Sequence, residues 1–300
     1  ARSHVTAPDL SFEAAVGFAA DLIRIPGPSG GEEAVARRVA AEMERLGYDE
    51  IRLDEVGNVI GRVRGRGAKP PVMLSCHLDV VDAGDASAWE HPPHGGVIEG
   101  GFLHGRGAMD IKGPLALQTY AAARFGEDRP PGDIVVAHTV FEERGGWGMA
   151  HLLESGAVRP AAVIIGESTG GDVCIGHRGR AEVLVEIRGR AGHASVPDAA
   201  ANALDGVGPV LDAVRAFAAD ALAAEDPTLG GSTVVATDVF AAPRSRNVVP
   251  DSATVVLDWR VLPGADAEGS LRLLEEHVRR RVPLPEGLTL DVRYAVERQR

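Results

Sequence analysis

The sequence contains few cysteines, no long apolar run and no excess of basic residues. Without a run of about 20 apolar residues, no segment is expected to cross a membrane. Acidic residues outnumber basic ones by 43 to 31, which gives a net charge of −12. This argues against nucleic-acid binding, because such proteins present basic surfaces to phosphates. The N-terminus lacks the order of a secretion signal, so we expect a cytoplasmic protein, although a processed chain would look the same.

The cysteines are two, Cys76 and Cys174. Each lies within an apolar run that is typical of a strand. Because cytosolic proteins seldom keep disulfides, we expect two buried, reduced thiols.

Helical and strand-like patterns alternate through the first 178 residues. Apolar residues at helical spacing predict helices, and short apolar runs predict strands. The predicted helices span residues 11–25, 32–46 and 111–125, and the predicted strands span residues 51–53, 58–63, 72–76, 134–140 and 161–165. Ser29 or Gly30 is expected to cap the second helix. The alternation favours an α/β layer around a mostly parallel sheet.

The pattern changes near Arg178. Residues 182–187 alternate as a half-exposed antiparallel strand does. Predicted helices at 202–224 and 267–281 then alternate with strands at 233–239, 253–261 and 288–294. Two strand–helix–strand units predict an α+β, ferredoxin-like domain with helices on one face of a four-stranded sheet. We therefore expect two domains, at residues 1–178 and 179–300.

Four groups of acidic or imidazole side chains lie at strand ends or in a glycine-rich loop before a helix. They are His77 with Asp79, Asp110, Glu142 with Glu143, and Glu167. Ligands bind at the carboxyl ends of the strands in an open α/β sheet, so we expect these groups to converge. Together they form a mixed nitrogen and oxygen ligand set for zinc or a similar ion, with one glutamate left as a base. That set is typical of metal-assisted hydrolysis.

Each group also has a simpler explanation on its own. His77 would be a surface histidine, Asp110 a helix N-cap, and the paired glutamates two solvated charges in a turn. Residues i and i+2 of an extended chain share a face. His77 and Asp79 would then point the same way, with Asp79 holding a ring nitrogen of a metal-binding His77.

Four segments of the chain resemble, in order and context, the M20 metallopeptidase family. They are Ser75–Val81, Gly105–Gly113, Glu142–Glu143 and Gly166–Glu167. The family includes acetylornithine deacetylase, succinyl-diaminopimelate desuccinylase, aminoacylase and the glutamate carboxypeptidases. The resemblance covers essentially the whole chain and implies that residues 1–178 are a metal-binding catalytic domain.

The resemblance also implies roles for individual side chains. His77 and Glu167 would bind one metal ion, Glu143 would bind a second, and Asp110 would bridge the two. The ions would be zinc, with cobalt and manganese as alternatives. Asp79 would orient His77. Glu142 would be the general base, whose pKa burial beside other carboxylates tends to raise towards working pH.

The second domain resembles the lid domain of the same family. Within Gly189–Pro197, His193 would reach into the site of a partner subunit and stabilise an oxyanion, which implies a homodimer through the lid. Asn247 and Arg260 lie in segments that resemble those binding the substrate's carboxylate, a task that suits a planar guanidinium. The simpler explanations are a structural turn for His193 and an ion pair with Asp258 for Arg260.

The implied activity is hydrolysis of an amide bond beside a free carboxylate, in an N-acyl amino acid or a small peptide. A non-catalytic metal-binding or scaffold relative on the same fold is the alternative, and an aminopeptidase is a third. Family members return from the lid with a last histidine that binds the second metal. Here the only histidine after His193 is His277, which we expect to face solvent. We therefore expect an incomplete catalytic domain and an incomplete second metal site.

Overall fold

The computed structural model describes residues 8–220 and 225–295. The chain divides into two compact units, and the division falls between Asp172 and Val173. The functional domains expected at residues 1–178 and 179–300 stay a prediction. In these described ranges, no helix has the length and apolar character that crossing a membrane requires.

The first unit is built from helices and strands that alternate along the chain. Its helices are α1 (Phe12–Ile23), α2 (Glu33–Arg45), α3 (Gly113–Ala123) and α4 (Trp147–Glu154). Its strands are β1 (Glu50–Leu53), β2 (Val59–Val63), β3 (Val72–His77), β4 (Val97–Glu99), β5 (Phe102–His104), β6 (Ile134–Thr139) and β7 (Ala162–Ile165). The sequence did not predict α4 or the β4–β5 hairpin.

A five-stranded sheet in the order β1-β2-β6-β3-β7 organises this unit. β3 runs parallel to both β6 and β7, whereas β1 and β2 pair antiparallel at the other edge. The parallel ladders end at His77 opposite Thr139 and at Ser75 opposite Ile165. The carboxyl ends of three strands therefore meet at one edge of the sheet, which confirms the predicted α/β fold.

Helices cover both faces of this sheet. On one face α1, α2 and α3 bury a core that includes Leu22, Val35 and Leu115. On the other face Leu152 of α4 packs with Met73 of β3 and its neighbours. Burial of this apolar surface stabilises the sheet that carries the strand ends.

The start of α3 differs from the prediction. Asp110 and Ile111 have non-helical dihedral angles, and the helix begins at Gly113, with Pro114 in its first turn. Asp110 consequently lies in the loop before the helix.

The second unit contains a four-stranded antiparallel sheet with helices. Its elements are β8 (Gly179–Arg188), β9 (Gly192–His193), α5 (Val207–Asp220), β10 (Glu225–Asp226), β11 (Gly230–Gly231), β12 (Thr233–Ala242), β13 (Val248–Val249), β14 (Ser252–Val261), α6 (Ala267–Arg281) and β15 (Thr289–Tyr294). The strand order β12-β14-β8-β15 is that of a ferredoxin-like fold. Residues 221–224 of the predicted second-domain helix lie outside the described residues.

Two expectations about individual side chains were wrong. His277 is only 6% exposed and packs edge-on against Phe217 of α5, so it does not face solvent. Leu274 and Val278 lie on the same face of α6 and are fully buried. Cys76 is buried as expected, but Cys174 is exposed and lies outside any strand.

Candidate metal centre

His77, Asp110 and Glu167 converge at the carboxyl edge of the sheet. Each offers one possible ligand atom, and these atoms all lie within 4.8 Å of one another. His77 ends β3 and is buried, whereas Asp110 and Glu167 are exposed. The structure thus brings together three residues that the sequence placed in separate segments.

His77 is held from both sides of its ring. Its Nδ1 lies 2.9 Å from the backbone oxygen of Asp79 and 3.5 Å from Oδ1 of the same residue. Its Nε2 lies 3.0 Å from Oδ1 of Asp110. If Nδ1–H donates to Asp79, Nε2 is the nitrogen that can accept a metal ion.

Asp110 does not act as a helix cap. Lys112 occupies the N-cap position of α3, and the Asp110 side chain lies against His77. The loop is tied to its surroundings because Ser168 Oγ donates to the carbonyl oxygen of Met109 at 3.1 Å. This bond joins the segment that carries Asp110 to the segment that carries Glu167.

The paired glutamates lie beside this cluster. Oε2 of Glu142 is 3.9 Å from Nε2 of His77, and Oε1 of Glu167 is at the same distance. The Glu142 side chain is 50% exposed, so the burial expected around this residue is not seen. Glu143 is partly buried and lies close enough to Asp110 to feel its charge.

Asp79 is completely buried and accepts several hydrogen bonds. Ser29 Oγ donates to its Oδ2 at 2.7 Å. The backbone N–H of Glu142 donates to its Oδ1 and that of Glu143 to its Oδ2, both at 3.1 Å. Asp79 therefore positions the turn that carries both glutamates as well as the ring of His77.

The electrostatics of the cluster favour a bound cation. Burial raises the pKa of Glu143 and of Glu167, and the nearby charges of Asp110 and Glu142 raise both further, while His77 opposes this. Burial alone would lower the pKa of His77. Its bond to Asp79 and the charges of Glu142, Asp79 and Asp110 instead raise that pKa to about 9. Carboxylates crowded around one imidazole are the situation that divalent ions relieve.

Lys112 is a further residue of this loop to which the sequence gave no role. Its side chain is fully buried, and Nζ donates to the carbonyl oxygens of Leu22 at 2.9 Å and Ile25 at 2.8 Å. Burial lowers the pKa of Lys112 to about 8. The two bonds fasten the segment after Asp110 to the end of α1.

In the second unit, His193 and Asn247 are neighbours. β9 and β13 pair antiparallel with Val248 opposite His193, and Ala194 N–H donates to the carbonyl oxygen of Asn247 at 3.0 Å. Ser195 N–H donates to Nδ1 of His193 at 3.2 Å. The Ser195 hydroxyl oxygen lies 2.7 Å from the same Nδ1, and in the tautomer whose Nδ1 accepts both bonds the neutral ring carries its proton on Nε2, which is then available as a donor.

Arg260 forms the ion pair that its simpler explanation predicted. Its Nε lies 2.7 Å from Oδ1 of Asp258, while Nε of Arg180 lies 2.5 Å from the other carboxylate oxygen. Hydrogen bonds from Arg180 and Arg260 outweigh the effect of burial and lower the pKa of Asp258. The Arg260 side chain remains 45% exposed.

Comparison with known sequences identifies related proteins. The sequence profile of peptidase family M20/M25/M40 matches residues 73–277. The chain is 32% identical over 258 residues to protein YgeY of Escherichia coli K12, which covers 85% of this chain and 63% of YgeY. It is 30% identical over 277 residues to a succinyl-diaminopimelate desuccinylase of Cereibacter sphaeroides ATCC 17025, covering 87% and 71% of the two chains. The chain thus spans less than two thirds of the length of YgeY.

Solved structures share the fold. The dipeptidase Dug1p of Saccharomyces cerevisiae aligns with a TM-score of 0.70 at 16% identity, covering 94% of this chain and 76% of Dug1p. The YXEP protein of Bacillus subtilis, a dinuclear metal-binding peptidase, aligns with a TM-score of 0.59 at 15% identity, covering 94% and 73%.

Proposed function

The chain belongs to peptidase family M20/M25/M40, and on that basis we propose that it carries the metal-binding and lid portions of an amide hydrolase. The substrate is an N-acyl amino acid or a small peptide, cleaved beside a free carboxylate. The convergence of His77, Asp110 and Glu167 beside Glu142 carries this proposal. The desuccinylase relative and the dipeptidase of similar fold agree with such substrates.

The residues present fit one divalent metal ion and supply two ligands, Asp110 and Glu143, for a second ion whose site stays incomplete in this chain; zinc is the proposed metal. One imidazole nitrogen and several carboxylates, two of them with raised pKa values, form a donor set that suits such ions. His77 and Glu167 would bind one ion, and Glu143 would bind the other. Asp110 would bind both ions. When bound, the ions polarise the scissile carbonyl and make an attacking water more acidic.

Glu142 is the proposed general base. Its carboxylate lies beside the cluster but forms no part of the His77, Asp110 and Glu167 group. It would accept a proton from the attacking water and deliver that proton to the departing amine nitrogen. Asp79 supports this role through the backbone N–H of Glu142.

His193 is the proposed oxyanion donor. The contacts of Ser195 N–H and Oγ with Nδ1 suit the tautomer with its proton on Nε2, which is the form that can donate to a developing negative charge. We propose that this donor acts in the partner subunit of a homodimer. β12 is an edge strand of ten residues with Val235, Val239 and Phe240 exposed, which suits pairing with a second copy.

Arg260 and Asn247 are the proposed contacts of the substrate's carboxylate. The half-exposed guanidinium of Arg260 has donors to offer besides the Nε that binds Asp258. Asn247 directly precedes β13, which pairs with His193, so both residues would serve one end of the substrate.

Metal analysis coupled to a substrate panel tests the proposed function. The panel contains N-acetyl, N-succinyl and N-carbamoyl amino acids and dipeptides, each with a free carboxylate and as its carboxamide. We expect hydrolysis of at least one carboxylate-bearing class, its loss on chelation and its recovery when zinc is added. Metal binding without hydrolysis of any member would favour the non-catalytic alternative.

A further inference from the structure

Three consecutive backbone amides of the turn after β6 are held by buried carboxylates. The N–H of Phe141 donates to Oε1 of Glu32 at 3.1 Å, and those of Glu142 and Glu143 donate to the two oxygens of Asp79. Phe141 adopts a φ of 56°, a conformation that bulky residues rarely take. Such a backbone persists where surrounding contacts over-determine it, and these three bonds are contacts of that kind.

Glu32 is 109 residues away from the turn in sequence and only 5% exposed. It stands at the N-cap position of α2, but its side chain is directed to the Phe141 amide. A buried carboxylate is costly unless it is hydrogen-bonded, and a charged acceptor makes a stronger bond to an amide than a neutral one. Its neighbour Glu33 is 76% exposed and pairs with Arg37 on the surface.

Ser29 supports the same turn from the other side. Its Oγ donates to Oδ2 of Asp79, the oxygen that also accepts the Glu143 N–H. Between the two side chains, Gly30 lies against the Phe141 ring so closely that an added Cβ would lie 3.1 Å from Cζ. The segment from Ser29 to Glu32 therefore contacts the turn directly through Gly30 and Glu32, and indirectly through the bond of Ser29 to Asp79.

We propose that Glu32 and Ser29 are positioning residues for the turn that carries Glu142 and Glu143. Glu32 fixes the Phe141 backbone, and Ser29 orients the Asp79 carboxylate that holds the next two amides. The consequence for catalysis rests on the proposed function, in which Glu142 is the base and Glu143 a metal ligand. Neither Glu32 nor Ser29 touches the reacting atoms.

Amide hydrogen exchange tests this role without reference to activity. We expect E32A to accelerate exchange of the segment 141–143 about tenfold or more, because a hydrogen bond to a charged group is lost. S29A should accelerate amide exchange in the same segment. E32Q keeps an acceptor oxygen and should retain most of the protection that E32A loses. E33A is the matched control and should leave this segment unchanged. Exchange in E32A equal to that in E33A would overturn the proposal.

Metal affinity and turnover extend the test. E32A should weaken the ion held by Glu143 more than the ion held by His77 and Glu167. It should lower kcat about 10- to 100-fold, with KM little changed, since a misplaced catalytic group has effects of that order. A kcat loss that E32Q does not rescue, or that only follows the amount of folded protein, would mean a merely structural role. If the wild type hydrolyses nothing, the proposed function fails, while the exchange data still decide the positioning role.

Discussion

His77 and Asp110 are 33 residues apart in the chain, yet Nε2 of the histidine lies 3.0 Å from Oδ1 of the aspartate. His77 ends a buried strand, whereas Asp110 lies in the loop before α3, so the contact joins two separate elements. The other candidate groups surround this pair. The contact therefore places Asp110 in one cluster with His77 and Glu167.

Replacing Asp110 should affect both metal ions. We expect D110N to weaken the binding of both metal ions, because Asp110 is the proposed bridge. E167Q should weaken the binding of one ion, because Glu167 is a proposed ligand of that ion alone. The loss of metal affinity should exceed the roughly 10- to 100-fold that is typical when a residue that only hydrogen-bonds a metal ligand is replaced. Equilibrium dialysis with metal analysis measures both affinities. D85N, which alters an exposed carboxylate that caps a short turn, is the control. Unchanged affinities in D110N would contradict the bridging role.

Replacing Arg260 should impair recognition of the substrate's carboxylate. Lysine cannot reproduce the fork of the guanidinium, and bonds between charged groups are worth about 1.5–3 kcal/mol, so R260K should raise KM roughly 10- to 100-fold. Carboxamide substrates should be affected much less. Steady-state kinetics on both substrate series measure the effect. R180K is the matched control, because Arg180 binds the other oxygen of Asp258. An equal KM change in the two variants would argue for a role in the ion pair alone.

His138 should make stability depend on pH. It is completely buried on β6, and burial lowers its pKa from 6.5 to about 3. At a pH between these two pKa values, His138 binds a proton in the unfolded chain but not in the folded protein. The free energy of unfolding therefore falls as the pH falls below 6.5. From pH 8 to pH 5 this residue should account for a loss of about 2 kcal/mol.

Urea unfolding of H138Q at both pH values measures this contribution. The variant should lose less stability between them than the wild type does. T139V alters the next buried residue of the same strand without removing a titratable group, and should keep the wild-type dependence. An unchanged dependence in H138Q would show that other groups are responsible.

Subunit mixing should reveal whether His193 acts in the partner's site. H193A keeps an intact Glu142, and E142Q keeps an intact His193, so a mixed dimer contains one complete site. Equal mixing of the two inactive variants should restore about a quarter of wild-type activity if subunits exchange at random. Size-exclusion chromatography must show dimers in each sample. Mixed dimers without activity would count against the sharing of His193.

Much of the fold follows from local patterns. β3 ends at His77, β6 precedes Glu142 and β7 precedes Glu167, and all three are short apolar runs, although β7 is exposed while β3 and β6 are largely buried. Parallel pairing brings their carboxyl ends to one edge. The β4–β5 hairpin was missed because its strands have three residues each, too few for a periodic signal. α4 was missed because it follows Gly145 and Gly146 and spans only eight residues.

His277 could have been placed correctly. It follows Leu274 by three residues and precedes Val278, which puts it on the apolar stripe of α6. The polar character of histidine outweighed this spacing in the prediction, although an imidazole packs readily against an aromatic ring such as that of Phe217.

Contacts between distant side chains were beyond the sequence. Ser29 carries a turn signal that predicted a helix cap, yet its hydroxyl binds Asp79, which is 50 residues away. Glu32 looks like any acidic residue at a helix start until the fold brings Phe141 beside it. The cytoplasmic location, the homodimer, the identity of the metal and the roles of the site residues stay predictions.

Parallel metal analysis and turnover of the wild type and E142Q test the central claim most directly. Both proteins should bind the same number of zinc ions with similar affinity, because Glu142 is not a proposed ligand. Turnover of the best panel substrate should fall at least about 100-fold in E142Q, the effect expected when a general base is removed. Near-full activity in E142Q, or loss of its metal, would contradict the assignment of Glu142 as the base of a metal-dependent amide hydrolase.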